Sequence, residues 1–200
     1  MAIEYKLIGE EDFDSAVECI AKSFCNRDLL SVSLGIGFED WKIYSKGQVE
    51  RAIKAGTSIG AFESGLVVGA LLSYDFSLYS PKDYSLVDSF IPIASFMDEL
   101  YTGYNFSENV LHFSYLGVID EYLNKNIGYN ITKKNIGFAR EKGFEKIVLE
   151  AVPLYTQRVA SIFGFLPINE LSYKDFLYHG KKIFESIDEV SSCLLMELDL

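Results

Sequence analysis

The stretch that most constrains what this chain can fold into runs from Leu111 to Val152, LHFSYLGVIDEYLNKNIGYNITKKNIGFAREKGFEKIVLEAV. Residues 111 to 118 alternate and are rich in β-branched and aromatic side chains, which predicts a strand. Residues 119 to 128 carry Asp, Asn and Gly and predict a loop. From Tyr129 to Lys142 the apolar residues Ile131, Ile136, Phe138 and Ala139 fall near a 3.6-residue period, and Gly143 follows the basic Arg140 and Lys142 as a stop signal, so this segment predicts a helix. Lys146 to Val152 then predicts a buried strand. Strand, polar loop, helix, strand is the order in which loop N–H groups and a helix N-terminus can hold a phosphate. A polar loop before a helix is also, more plainly, a connection.

The flanking sequence supplies the rest of one domain. With 200 residues, a 49% apolar composition, 15 Phe and 13 Tyr, one sizeable core is expected and no linker interrupts it. IEYKLI at 3 to 8 alternates as a strand, and Glu10, Glu11 and Asp12 open a helix through about Phe24. Residues 26 to 38 are irregular in pattern, and Glu39 to Ala55 is helical. Thr57 to Phe62 and Leu66 to Ser73 predict a hairpin around Glu63, Ser64 and Gly65. Tyr79 to Tyr84, with Pro81, predicts a loop, and Phe90 to Tyr101 presents one apolar helix face. Thr156 to Phe163 predicts a short helix ended by Gly164. Ile168 to Phe176 and Ser191 to Asp199 are the closing strands.

Several function classes are disfavoured at this stage. A net charge of −11 argues against nucleic acid, whose phosphates need clustered Lys and Arg, and suits a cationic substrate. No apolar run near 20 residues or leader-like segment appears, so no membrane partner is expected and the chain reads as soluble and cytoplasmic. Cys19, Cys25 and Cys193 read as reduced thiols, and with only His112 and His179 no metal site is expected.

The loop resembles that of the acetyl-coenzyme A-dependent N-acetyltransferases of the GNAT superfamily. Their pattern Val-x-Pro-x-Tyr-Arg-Gly-x-Gly-x-Gly/Ala aligns without gaps on Val118, Tyr122, Leu123, Asn124, Lys125, Asn126, Ile127 and Gly128. Leu123 stands where Gln or Arg is usual, Asn124 and Asn126 replace glycines, and Gly128 is retained. Asn tolerates positive φ next best after Gly, so the loop keeps the means to hold an anion, with Lys125 as a counter-charge. More closely, the chain is similar to the arylalkylamine N-acetyltransferase-like branch. Phe24 to Leu30 reads FCNRDLL against Phe-Phe-x-Asp-Glu-Pro-Leu, Ile93 to Asp98 reads IASFMD, Tyr155 to Phe165 reads YTQRVASIFGF, and Tyr173 to Phe176 reads YKDF, followed by Gly180 and Phe184.

The resemblance implies an α/β (α+β) fold, a mixed, mostly antiparallel sheet of about seven strands with helices on both faces. It implies acetyl-CoA as cofactor, held by Leu116, Gly117, Val118 and the loop from Leu123 to Tyr129, and a small primary amine, arylalkylamine-like or polyamine-like, as acceptor. A protonated amine cannot attack a thioester, so a base is required, and the family's acidic position falls on Asp28; its alternative is a surface Asp in a turn, and Arg27 beside it is a potential ion-pair partner. The oxyanion donor falls on a backbone N–H around Leu116 to Val118. Thr156, with Tyr155 adjacent, matches the branch's Ser, with helix capping as its other role, while the Tyr of many relatives is here Ala160. Phe96, Met97, Tyr101 and Tyr104, in an aromatic string that runs from Phe76 through Tyr84 to Phe106, are pocket candidates or core. A domain of this fold that has lost catalysis and serves as a binding module is the second function class. A monomer or homodimer is expected.

Overall fold

The computed structural model describes residues 3–79, 87–104 and 109–200. The chain starts with β1 (Glu4–Leu7), a 3-10 turn at Glu10–Asp12, α1 (Phe13–Cys25), α2 (Leu29–Leu34) and α3 (Phe38–Ala55), then the hairpin β2 (Ile59–Glu63) and β3 (Leu66–Asp75). It continues through α4 (Ile91–Leu100), β4 (Val110–Val118), α5 (Ile127–Glu141), β5 (Lys146–Ala151), α6 (Leu154–Ile162), β6 (Leu166–Ser172) and β7 (Ser192–Asp199). One seven-stranded sheet has the order β1-β2-β3-β4-β5-β7-β6, and among its pairs only β4 with β5 is parallel. The α/β reading and the mostly antiparallel sheet are therefore what the chain forms.

Each sheet face carries its own apolar cluster. α1, α3 and α4 cover one face through residues such as Ile20, Trp41, Tyr44, Phe90 and Phe96. α5 and α6 cover the other through Ile127, Ile131, Ile136 and Ala160. Burial of such residues is the main stabilising term. Two glycines allow helices to approach the sheet closely. A Cβ on Gly117 would lie 2.8 Å from Ser23 Cβ on α1, and one on Gly69 would lie 2.9 Å from Ile127 Cγ2 on α5. α5 is further pinned by buried Asn135, whose Nδ2 donates to Ser73 Oγ at 3.2 Å.

Some boundaries differ from the sequence expectation. The stretch read as irregular contains α2, capped by Asp28 and ended at Gly35 with φ 69°. Six residues are too few for a helical period to register. The penultimate strand runs Leu166–Ser172, earlier than 168–176, because Pro167 and a register irregularity interrupt its alternation, and Tyr173 and Phe176 turn into the core instead. α5 starts at Ile127, two residues before the expected Tyr129. Of the loop expected from Tyr79 to Tyr84 only Tyr79 is among the described residues, and Phe106 lies outside them.

Candidate active site

The site is made by a failure of pairing. β4 and β5 share only the register Val110–Lys146, Leu111–Ile147 and His112–Val148, after which Phe113–Val118 and Leu149–Ala151 run on without a ladder between them. A bulge promotes the divergence. Against β3, Leu72 pairs with Tyr115 but Ser73 pairs with Phe113, so Ser114 is the extra residue, and bulges bend the strand that carries them. The result is an opening in the hydrogen-bond ladder in the middle of the sheet, with no ladder partner for the β4 backbone on that side among the described residues.

Alternation decides which β4 groups face that opening. Ile119 N–H donates to Val68 O at 3.1 Å, so the 119 position points toward β3. In an antiparallel pair the N–H and C=O of one residue point the same way and the next residue's point opposite, so Gly117 faces β3 while Leu116 and Val118 face the opening. The Val118 carbonyl, accepting from the Arg27 guanidinium, fits that direction.

Beyond β4 the chain makes a 3-10 turn at Asp120–Tyr122 and then bends twice through left-handed backbone, at Asn124 (φ 60°) and Asn126 (φ 58°). These are the two positions where the resembling family has glycine, and φ near +60° is the region that only Gly and, less readily, Asn enter at small cost. Asn126 is the N-cap of α5 yet its side chain makes no capping hydrogen bond, which leaves the first-turn N–H groups of α5 for another acceptor. Lys125 is exposed with its ammonium 4.4 Å from the Tyr122 ring centroid, Tyr122 donates to Glu63, and Leu123 is 37% exposed. Gly128, in the first turn, is buried; a Cβ there would lie 3.4 Å from the Tyr155 hydroxyl and 3.9 Å from Leu116 Cδ2. Tyr129 stacks on Phe163 at 4.8 Å. The residues read as a cofactor cradle, Leu116 to Val118 and Leu123 to Tyr129, are thus contiguous at the end of β4 and the start of α5.

The acid follows from the other side. Asp28 caps α2: its carboxylate accepts from Ser31 N at 2.9 Å and Ser31 Oγ at 2.6 Å. Burial pushes its pKa above the ordinary carboxylate range, against the lowering effect of those hydrogen bonds. Arg27 does not pair with it. The guanidinium instead spans to the Val118 carbonyl and to Asp120, with Nε 3.4 Å from Oδ1, and so ties the turn that carries Asp28 to the open end of β4. A carboxylate whose pKa is raised by burial is the better suited to accept a proton.

Thr156 is half-buried inside α6, whose N-cap is Pro153, so capping is not its role. Tyr155 is 56% exposed and reaches across to Gly128. The four aromatic-segment candidates are dispersed. Phe96 is fully buried, stacked on Tyr173 at 5.6 Å and edge-on to Phe176 and Phe184, and Met97 is buried beside the same core. Tyr101 donates to Glu150 Oε1 at 2.5 Å and Tyr104 to Glu197 Oε2 at 2.9 Å. His112 meets an acid, Glu150, from 38 residues downstream, at 2.9 Å from Nε2. Nothing local signals that pair.

No family profile matches the sequence, and no curated protein matches it. Solved structures do. Arylalkylamine N-acetyltransferase 2 from Aedes aegypti superposes with a TM-score of 0.81 at 20% identity, covering 100% of this chain and 99% of that one. The C-terminal condensation domain of Ebony, solved with β-alanyl-dopamine, gives 0.83 at 16% identity with both chains covered completely. A Drosophila melanogaster polyamine N-acetyltransferase gives 0.79 at 15%, again over 100% of both chains. The chain therefore has the GNAT fold from end to end, the fold of amine N-acetyltransferases.

Proposed function

We propose that this protein transfers an acetyl group from acetyl-CoA to the primary amine of a small arylalkylamine-like or polyamine-like molecule. The observation that carries the reading is the coincidence, at one end of β4, of an unpaired strand edge with a loop whose Asn124 and Asn126 both adopt left-handed backbone at positions where the resembling family has glycine. These residues suit the cofactor: a pantetheine chain has amides to pair with the Leu116 and Val118 edge, and a pyrophosphate suits the uncapped first turn of α5. Acetyl-CoA supplies the activated acyl group.

The chain's own groups account for the remaining steps. Asp28, raised by burial, takes the ammonium proton, directly or through water, so that the neutral amine attacks the thioester carbonyl. A backbone N–H of Leu116 or Val118 donates to the oxyanion that forms. Collapse breaks the C–S bond and expels the thiolate, the nitrogen gives up its second proton to form the amide, and a hydroxyl of Tyr155 or Thr156 relays a proton to the thiolate and is reprotonated by the proton the nitrogen releases. α4, anchored by Phe96 and Met97 and followed by Tyr101 as its C-cap, bounds the acceptor side.

The same fold is found in the condensation domain of Ebony, which is why the acyl donor needs a direct assay. Leu123 and the two asparagines also favour a second reading, an acyl-CoA-binding module without turnover. The experiment is release of free CoA thiol with acetyl-CoA and a panel of tryptamine-like and polyamine-like amines. Turnover with an amine supports the enzyme; CoA binding without turnover on any amine supports the module. A cytoplasmic location, a monomer or homodimer, and no nucleic-acid or membrane partner complete the proposal. Among the described residues no helix is long and apolar enough to cross a membrane.

A further inference from the structure

The opening has a floor that neither the cofactor loop nor Asp28 accounts for. His112 is the last β4 residue paired to β5, opposite Val148, and Glu150 stands two residues further along β5 on the same face. Their side chains are 1% and 6% exposed. His112 Nε2 lies 2.9 Å from Glu150 Oε2 and 3.1 Å from Oε1, and the Tyr101 hydroxyl donates to Oε1 at 2.5 Å. His112 Nδ1 has no partner among the described residues, so Glu150 is the imidazole's one hydrogen-bonding anchor and Nε2 carries the proton. Edge-on contacts at 5.3, 5.2 and 5.1 Å from the rings of Tyr74, Phe76 and Tyr79 fix the imidazole plane.

A buried imidazole–carboxylate pair is a weak way to gain stability, because desolvation offsets most of the attraction and apolar side chains would serve as well. What such a pair does well is set a register. Here it spans the first place where the backbone ladder is missing.

We propose that the His112–Glu150 pair, secured by Tyr101, is a positioning device: it sets the separation of β4 and β5 at the root of the opening and, through the strand, the direction of the Leu116 and Val118 N–H groups. Neither residue touches the substrate. The proposal rests on the reading of the opening as the acyl site, and its consequence is a specific one: the pair governs transition-state alignment, whereas coenzyme A affinity comes mainly from the loop and the start of α5.

The test uses the full chain with Glu150→Gln, His112→Gln and, as the variant least able to unfold it, Tyr101→Phe. Three quantities are measured: amide 1H–15N resonances of the unliganded protein, Kd for coenzyme A by calorimetry, and kcat with KM. The expected result is that the Leu116 and Val118 amide resonances move, kcat falls at least tenfold in Glu150→Gln and less in Tyr101→Phe, and Kd stays within twofold. Folded variants with unmoved resonances and parental kcat would overturn the proposal, as would parallel losses of kcat, affinity and melting temperature, which mark a merely structural role. A parent protein that acetylates no amine defeats the functional reading instead, and the amide resonances still decide whether the pair positions β4.

Discussion

Asn126 offers a quantitative perturbation because its side chain makes no capping hydrogen bond while its backbone sits at φ 58° and ψ 19°. What the residue contributes is therefore tolerance of the left-handed region, and that can be varied almost alone. Alanine in that region costs ~1 kcal/mol more than glycine, with Asn between them. Measured from the Asn parent, Asn126→Ala should cost about 0.5 kcal/mol and lower the melting temperature by about 1–2 °C for a chain of this size. Asn126→Gly relieves the strain and should stay within about 0.5 kcal/mol of the parent, since its looser unfolded chain offsets part of the gain. That energy is counted once: where the free variant loop relaxes out of the left-handed region the melting temperature is spared and cofactor binding carries the cost instead. If the loop must hold this conformation to meet a pyrophosphate, a penalty of about 0.5 kcal/mol weakens acetyl-CoA up to about twofold in Asn126→Ala and leaves Asn126→Gly near parental. Differential scanning calorimetry and isothermal titration read the two effects on the same samples. Equal behaviour of the Ala and Gly variants in both measurements would refute the claim that backbone conformation is what this position supplies.

Further perturbations address other parts of the site. Asp28→Asn should reduce kcat/KM by roughly 10² at neutral pH, with less loss at high pH where the amine is already neutral, as pH–rate profiles would show. The same variant should be more stable than the parent at pH 7: a carboxyl whose folded pKa is raised destabilises the fold above that pKa, and the variant's advantage should vanish as the pH of a urea titration falls through it. Gly117→Ala, whose Cβ would lie 2.8 Å from Ser23 Cβ, should cost about 1–3 kcal/mol in denaturant unfolding, and Ser23→Gly should restore part of it. Phe96→Ala should cost about 3–5 kcal/mol in the same assay, given its complete burial, whereas a residue lining an open pocket would lose amine affinity with little loss of stability.

The parts of this fold legible in the sequence were those with a local cause. Leu111 to Val152 announced its strand, loop, helix and strand because alternation, Asn and Gly content and a 3.6-residue period each arise within a few neighbouring residues. The left-handed bends at Asn124 and Asn126 were readable for the same reason, since φ preference belongs to the residue. α2 was not, because six residues capped by Asp28 carry less than two turns of pattern. Arg27 shows a further limit: its sequence neighbour Asp28 was the obvious partner, yet the guanidinium reaches Val118, 91 positions away, and Asp120. The His112–Glu150 pair was invisible for that reason too. The pairing that brings the two strands together is a property of sheet order, and only the parallel neighbours β4 and β5 make it.

The most direct test of the central claim is calorimetric titration of the purified protein with acetyl-CoA, alongside Gly128→Val, whose branched side chain would extend from a point 3.4 Å from the Tyr155 hydroxyl at the first turn of α5. The account predicts one-to-one binding by the parent, and no binding by a Gly128→Val protein that still melts cooperatively. An acetyl-CoA affinity unchanged in the folded variant, or no binding by the parent, would contradict it.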